Sequence, residues 1–313
     1  MTKKNFLNPL ESKNLFGLNK QFLTLVNLYK NDKFPKVLLL SGEKGSGKFT
    51  LVNHFLNYIF DERSYDFKNK RIDLKSKVYS KMLENTYQNT ILVNNEDDKR
   101  AKIDDIRSLK SILSKSIISD LPRFIIIDNV EQLNHNSLNS LLKIIEEPSG
   151  SNNFILIDNQ QNKLLDTVSS RCIKMNFFLS PNEKREIINQ LISNFSLEVK
   201  IDPNNYDLLP GVFLNFNSLC LENNINLENN YPLILNKLMI LYKKNKSQNI
   251  INFLIFFTEV YFFKLCNNNN KYIDFLNKKK TEIIKRINDF KTYNLNVNSV
   301  ISTIPTVTDN EKR

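Results

Sequence analysis

The chain has 313 residues, 44 Lys and Arg against 33 Asp and Glu for a net charge of +11, and a 41% hydrophobic and 25% charged composition. A globular chain of this length buries a sizeable core and divides into about two or three domains, which excludes an intrinsically disordered protein. Three widely separated cysteines, Cys172, Cys220 and Cys266, exclude a disulfide framework and a paired zinc-ligand spacing, and fit a reducing cytosol.

The first ten residues, MTKKNFLNPL, are basic but have no apolar stretch behind them, so no secretory signal is expected. Strand and helix signals then alternate through the first half, the pattern of a mostly parallel sheet covered on both faces. Val37-Leu38-Leu39-Leu40 is a continuous apolar run, followed by a glycine-rich turn and a helical spacing at Leu51, Val52, Phe55, Leu56 and Ile59. Ile91-Leu92-Val93 reads as a short strand, and Ile103, Ile106, Leu109, Leu113 and Ile117 recur at helical spacing. Phe124-Ile125-Ile126-Ile127-Asp128 is a buried strand ending in a carboxylate.

A helix follows with Asn134 as N-cap, Leu138, Leu141, Leu142 and Ile145 on its apolar face, and Pro148 closing it. Strands are predicted at 154–157 and 173–178. Beyond Ser180-Pro181 the chain reads as helices, at 182–195, near Tyr206, and at 212–221, 233–242, 251–265, 272–290 and 297–304. The run 251–265 carries Asn252 and Glu259 and falls short of the roughly 20 residues of a bilayer span, so a buried helix is expected there. Lysine and asparagine runs such as Lys243-Lys244-Asn245-Lys246 and Lys278-Lys279-Lys280 are spread along the chain, so the positive charge reads as compositional bias rather than a focused nucleic-acid patch.

Gly42-Glu43-Lys44-Gly45-Ser46-Gly47-Lys48 meets the glycine-and-lysine part of the phosphate-loop pattern, between a buried strand and a helix. Glycines let successive backbone N–H groups converge on phosphate oxygens, the helix N-terminus adds positive potential, and Lys48 reaches the terminal phosphates. The next residue should carry a hydroxyl for Mg²⁺ but is Phe49. Thr50, one place on, is rotated by about 100° around the helix and does not substitute. Asp128 stands where a carboxylate orients a metal-bound water, yet its neighbour is Asn129, which is no base, and Glu131 lies two residues further. Two readings of the loop stand: a rigid strand-to-helix connector, or a nucleotide site in which the residues expected to face ATP or ADP are Gly42, Gly45, Ser46, Gly47, Lys48, Phe49, Thr50 and Asp128. No metal ligand is assigned, and His54 and His135 are expected to be surface or packing residues.

Two further segments are distinctive. One is Asn139-Ser140-Leu141-Leu142-Lys143-Ile144-Ile145-Glu146-Glu147-Pro148, the other Thr167-Val168-Ser169-Ser170-Arg171-Cys172. With the phosphate loop, they make the chain resemble the clamp-loader branch of the AAA+ family, that of the bacterial DNA polymerase III. The resemblance runs from about residue 8 to 178 and more weakly onward, where Tyr293-Asn294-Leu295-Asn296 resembles the start of the last collar helix.

The resemblance implies an α/β AAA+ parallel-sheet domain (1–178), a small helical lid domain (179–225) and an all-α collar domain (226–313). It makes Arg171 an arginine finger acting in trans on a neighbouring subunit, with Cys172 beside it a packed small residue. It further implies a bacterial, cytoplasmic hetero-oligomer with ATPase subunits and a delta subunit, which loads a sliding clamp on primed DNA, without a membrane. Relatives often carry a cysteine zinc knuckle before the strand at Ile91, but residues 61–90 hold no cysteine, so no zinc is expected. Phe49, Asn129 and the absence of a lid arginine in Pro210-Gly211-Val212-Phe213-Leu214 point to a non-hydrolysing stator. The alternatives are an ATP-hydrolysing motor subunit built on Lys48, Thr50 and Asp128, and a small-molecule P-loop kinase, which gives the Ser-Arg-Cys segment no role.

Overall fold

The computed structural model describes residues 8–93, 106, 109, 111–113, 121–148, 150–227, 230–268 and 272–298. The chain separates into two compact units, residues 1–197 with 203–214, and residues 198–202 with 215–313. The dividing line runs through one helix, so the helices expected as a separate lid at 179–225 are shared between the units.

The first unit begins with helix α1 (Asn19–Lys30), which buries Phe22, Leu25 and Val26. Strand β1 (Val37–Ser41) leads through the glycine loop into α2 (Lys48–Phe60). Two-residue strands β2 (Tyr65–Asp66) and β3 (Arg71–Ile72) form an antiparallel hairpin, and α3 (Lys77–Leu83) follows. Then come β4 (Thr90–Val93), β5 (Arg123–Ile127), α4 (His135–Ile145) and β6 (Asn152–Asp158). The unit continues through α5 (Asp166–Ser169), β7 (Ile173–Asn176) and α6 (Pro181–Phe195). Of the helix expected at 103–117, only Ile106, Leu109 and residues 111–113 lie among the described residues.

Five strands make a parallel sheet in the order β4-β5-β6-β1-β7. β1 lies between β6 (Val37↔Phe154) and β7 (Leu38↔Ile173). The inner strands β1, β5 and β6 hold continuous apolar runs because both faces are covered there. On one face Leu38, Leu40, Phe124 and Ile126 pack with Phe22, Leu51 and Phe55. On the other Val37, Leu39, Ile125 and Ile127 pack with Leu138, Leu141 and Ile145. As the spacing predicts, Asn134 caps α4: its Oδ1 accepts the Ser137 N–H at 2.8 Å. This is an α/β layout with a parallel sheet covered on both faces, and the carboxyl ends of β1, β5 and β6 lie along one edge.

Helix α7 (Pro210–Glu222) starts in the first unit and ends in the second. The second unit is helical: α8 (Tyr231–Asn245), α9 (Gln248–Asn268) and α10 (Ile273–Tyr293). Tyr231 stacks on Tyr261 with ring centroids 4.1 Å apart, and its hydroxyl meets Thr258 Oγ1 at 2.9 Å. α9 runs 21 residues, longer than the apolar run that marks it. By length and apolarity Gln248–Asn267 matches a bilayer span, but Ile250, Ile251, Phe253, Leu254 and Phe257 are buried within the unit, as in a core helix. Tyr293 ends α10 with Asn294 as its C-cap at left-handed φ 50°, and helix resumes at 297–298, where Asn296 Oδ1 accepts the Asn298 N–H at 3.3 Å, so the segment 293–296 leads into the next helix as expected. The helix expected at 297–304 falls outside the described residues after Asn298.

Candidate functional site

The loop between β1 and α2 has the shape of a phosphate cradle. Gly45 and Gly47 hold φ of +97° and +88°, values that side chains resist, and α2 begins directly at Lys48. Lys48 is 2% exposed and folds back on the loop. Its Nζ donates to the Gly42 carbonyl at 2.6 Å, the Glu43 carbonyl at 2.9 Å and Ser46 Oγ at 3.3 Å. Burial pulls its ammonium down to about 8, against the upward pull of Asp128, Asp158 and Glu131.

Phe49, at the position of the metal-binding hydroxyl, packs its ring onto the apolar core under α2. With Leu10, Val52, Met82 and Leu92 it lines a small hydrophobic recess. Thr50 is half-buried one position further around the helix.

A contact that sequence reasoning misses closes the other side of the loop. The Gly211 N–H donates to the Gly45 carbonyl at 2.9 Å. The backbones approach so closely that a Cβ on Gly211 would sit 2.8 Å from Gly45 Cα. The start of α7 therefore meets the phosphate loop backbone to backbone.

At the carboxyl end of β5, Asp128 accepts its neighbour Asn129's N–H at 2.8 Å and Asn159 Nδ2 at 3.0 Å. Asn159, just beyond β6, also donates Nδ2 to Asn129 Oδ1 at 2.9 Å and its N–H to Glu131 Oε2 at 3.1 Å. One carboxamide thus ties the ends of two adjacent strands together. The signal for it was an Asn directly after a buried strand, beside a strand ending in Asp-Asn. Glu131 is buried, which pushes its carboxyl above the usual range, with Asp158 and Asp128 adding to the effect. Asp158 accepts Ser41 Oγ at 2.6 Å and the Gln160 N–H at 2.9 Å.

The residue directly after Lys48 has no hydroxyl, and Asp128 Oδ1 accepts both the Asn129 N–H and Asn159 Nδ2.

Arg171 lies between α5 and β7, with its side chain 38% exposed. It bonds to Glu146, Thr167 and Ser170 rather than to any residue of the phosphate loop. Cys172 Sγ donates to the Val168 carbonyl at 3.1 Å, and burial pushes the thiol up to about 11, so it carries no thiolate at neutral pH. His54 is buried as a packing residue between Tyr65 and Ser12, while His135 is exposed.

The sequence profile of the family described as DNA polymerase III, delta subunit, matches residues 17–180, just over half of the chain. The chain belongs to this family. Within it the delta-prime members are similar. The DNA polymerase III subunit delta' of Buchnera aphidicola subsp. Schizaphis graminum is 29% identical over 179 residues, 56% of this chain and 52% of that protein. The subunit delta' of Bacillus subtilis strain 168 is 27% identical over 168 residues, 54% of this chain and 49% of that protein. The matched region spans about half the length of these curated relatives. Among solved structures, a DNA polymerase III gamma subunit-related protein from Thermotoga maritima aligns over 91% of this chain and 97% of that one, with a TM-score of 0.44 and 17% identity. In this delta-prime family chain, the matched span holds the phosphate loop, Asp128, Asn159 and Arg171.

Proposed function

We propose that this delta-prime family chain is a non-hydrolysing stator of a bacterial DNA polymerase III clamp loader. In this role it sits in the cytoplasm among ATPase subunits and a delta subunit. It presents Arg171 to the ATP site of a neighbour, and the assembly loads a sliding clamp on primed DNA. The observation that carries the reading is Phe49, whose ring stands where a metal-binding hydroxyl is needed and packs into the core instead. Asn129, in place of a base beside Asp128, supports it: its amide oxygen accepts from Asn159. Arg171 supports the trans role, because an exposed guanidinium can meet a phosphate on another subunit. In the second unit, Leu233, Phe263 and Tyr272 are exposed apolar or aromatic side chains, each available to a sister subunit.

The phosphate loop itself has the backbone of a nucleotide site, so binding of ADP or ATP without turnover belongs to the same reading. That intact loop also favours a second reading, a motor subunit using Lys48, Thr50 and Asp128. Turnover by the purified chain separates the two. The stator shows no Mg²⁺-dependent hydrolysis above background; steady turnover abolished by Lys48→Ala establishes the motor. In the reconstituted complex, Arg171→Ala lowers DNA-stimulated hydrolysis while the subunits still co-elute.

A further inference from the structure

Arginine has five N–H donors in a rigid fork, and which of them are held decides which face outward. In this chain the Nε side is held by one atom: Nε and Nη2 of Arg171 lie 2.9 and 2.7 Å from Glu146 Oε1. On the other flank Nη1 donates to the Thr167 carbonyl at 2.9 Å, with Ser170 Oγ at 3.5 Å a weak second acceptor. Clamped on both flanks, the guanidinium keeps the pair of N–H groups between its two terminal nitrogens. That is the pair that engages two oxygens of a phosphate end-on.

Glu146 reaches this position because it is the C-cap of α4, and Pro148 follows two residues later. Thr167 belongs to α5, so the clamp joins the ends of two helices. Both charged side chains are substantially exposed, 38% for Arg171 and 47% for Glu146. An ion pair so exposed adds little to stability, and its significance is geometric.

We propose that Glu146 is a positioning residue, which orients the Arg171 guanidinium so that its terminal edge faces a phosphate on an adjacent subunit. This rests on the reading of Arg171 as a trans-acting finger. Positioning matters because a misplacement of about 1 Å in a catalytic group lowers rate by about 10²-fold. The glutamate need not touch nucleotide. It limits the rotamers of a long side chain before the neighbour's site is filled.

The test is DNA-stimulated ATP hydrolysis by the reconstituted complex carrying Arg171→Ala, Glu146→Ala, Glu146→Gln or the double alanine variant, with kcat and KM for ATP measured separately. Arg171→Ala sets the floor. Glu146→Ala lowers kcat between about ten- and a hundredfold at the site Arg171 completes, with little change in KM. Glu146→Gln, whose amide oxygen still accepts from Nε, recovers most of that loss. The double variant is no slower than Arg171→Ala alone, because the two residues act as a unit.

Unchanged turnover in Arg171→Ala removes the finger itself. A slow Arg171→Ala beside a fully active Glu146→Ala overturns the positioning role while the finger stands. Additive losses in the double variant also overturn it, since they assign Glu146 a separate effect. Thermal midpoints of all variants are measured first. If Glu146→Ala unfolds early, Glu146→Asp, which draws the carboxylate back by one methylene, takes its place with the same readings.

Discussion

The amide of Gly211 bonds to the carbonyl of Gly45 at 2.9 Å, joining residues 166 positions apart at the lip of the phosphate loop. Neither glycine has room for a side chain. Gly211→Ala puts a methyl group 2.8 Å from Gly45 Cα and 3.1 Å from its carbonyl oxygen, both backbone atoms that cannot swing away. The expected effect is a loss of about 1–3 kcal/mol, the range for overpacking. Gly150→Ala is the control, because nothing lies within 4 Å of its added Cβ. Chemical denaturation of both variants checks this, and equal midpoints would show that the Gly45 contact is not tight in solution.

Phe49 offers a gain-of-function prediction. In the native chain, ADP or ATP affinity measured by calorimetry is the same with and without Mg²⁺, since no hydroxyl follows Lys48. Phe49→Thr supplies one at the first turn of α2, and binding is expected to become Mg²⁺-dependent. The same change removes a ring from the core face, so a stability loss of about 2–4 kcal/mol accompanies it. If Phe49→Thr folds but remains indifferent to Mg²⁺, the missing hydroxyl is not what separates this loop from a metal-binding one.

Acid should weaken the first unit through His54. The ring is buried in α2; Nε2 lies 3.1 Å from the Ser12 carbonyl and so donates, leaving Nδ1 to accept from the Tyr65 hydroxyl at 2.9 Å. Burial pulls its pKa down from 6.5 to about 3. Between these values the unfolded chain binds the proton and the folded chain does not, so stability rises with pH. It is complete above about 6.5 and falls by about 1.4 kcal/mol per pH unit below that, until about pH 3. His54→Gln removes the titration. Urea midpoints from pH 7 to 5 should fall less steeply for the variant than for the native chain; parallel slopes would assign the acid sensitivity to other groups.

Much of this architecture is legible because burial on both faces leaves long apolar runs: Val37 to Leu40, Phe124 to Ile127 and Phe154 to Ile157 are strands as their composition indicates. The cap at Asn134 and the glycine-lysine loop are legible for the same reason, since local backbone chemistry dictates residue type. α1 is not anticipated, although Phe22, Leu25 and Val26 have helical spacing, because polar residues interrupt them. The β2–β3 hairpin is invisible, as strands of two residues have no period. Contacts set by tertiary approach, Gly211 on Gly45 and Glu146 on Arg171, leave no trace in spacing. Asn159 stands between these cases: its position was noticeable, but its hydrogen bonds required the register of β5 against β6.

Lys48 gives a prediction about protons. Its ammonium is 2% exposed, surrounded by carbonyl oxygens at 2.6 and 2.9 Å, and burial holds its pKa near 8, below the ordinary 10.5. A phosphate in the cradle brings negative charge against it and favours the protonated form, raising the pKa. Binding of ADP above about pH 8 should therefore take up a proton, and binding at pH 6.5, where Lys48 is already charged, should not. Calorimetry at pH 8.5 in two buffers of different ionisation enthalpy measures the uptake directly. Lys48→Met is expected to abolish both the uptake and most of the affinity. Nucleotide binding at pH 8.5 with no proton uptake would mean that the phosphates do not approach Lys48.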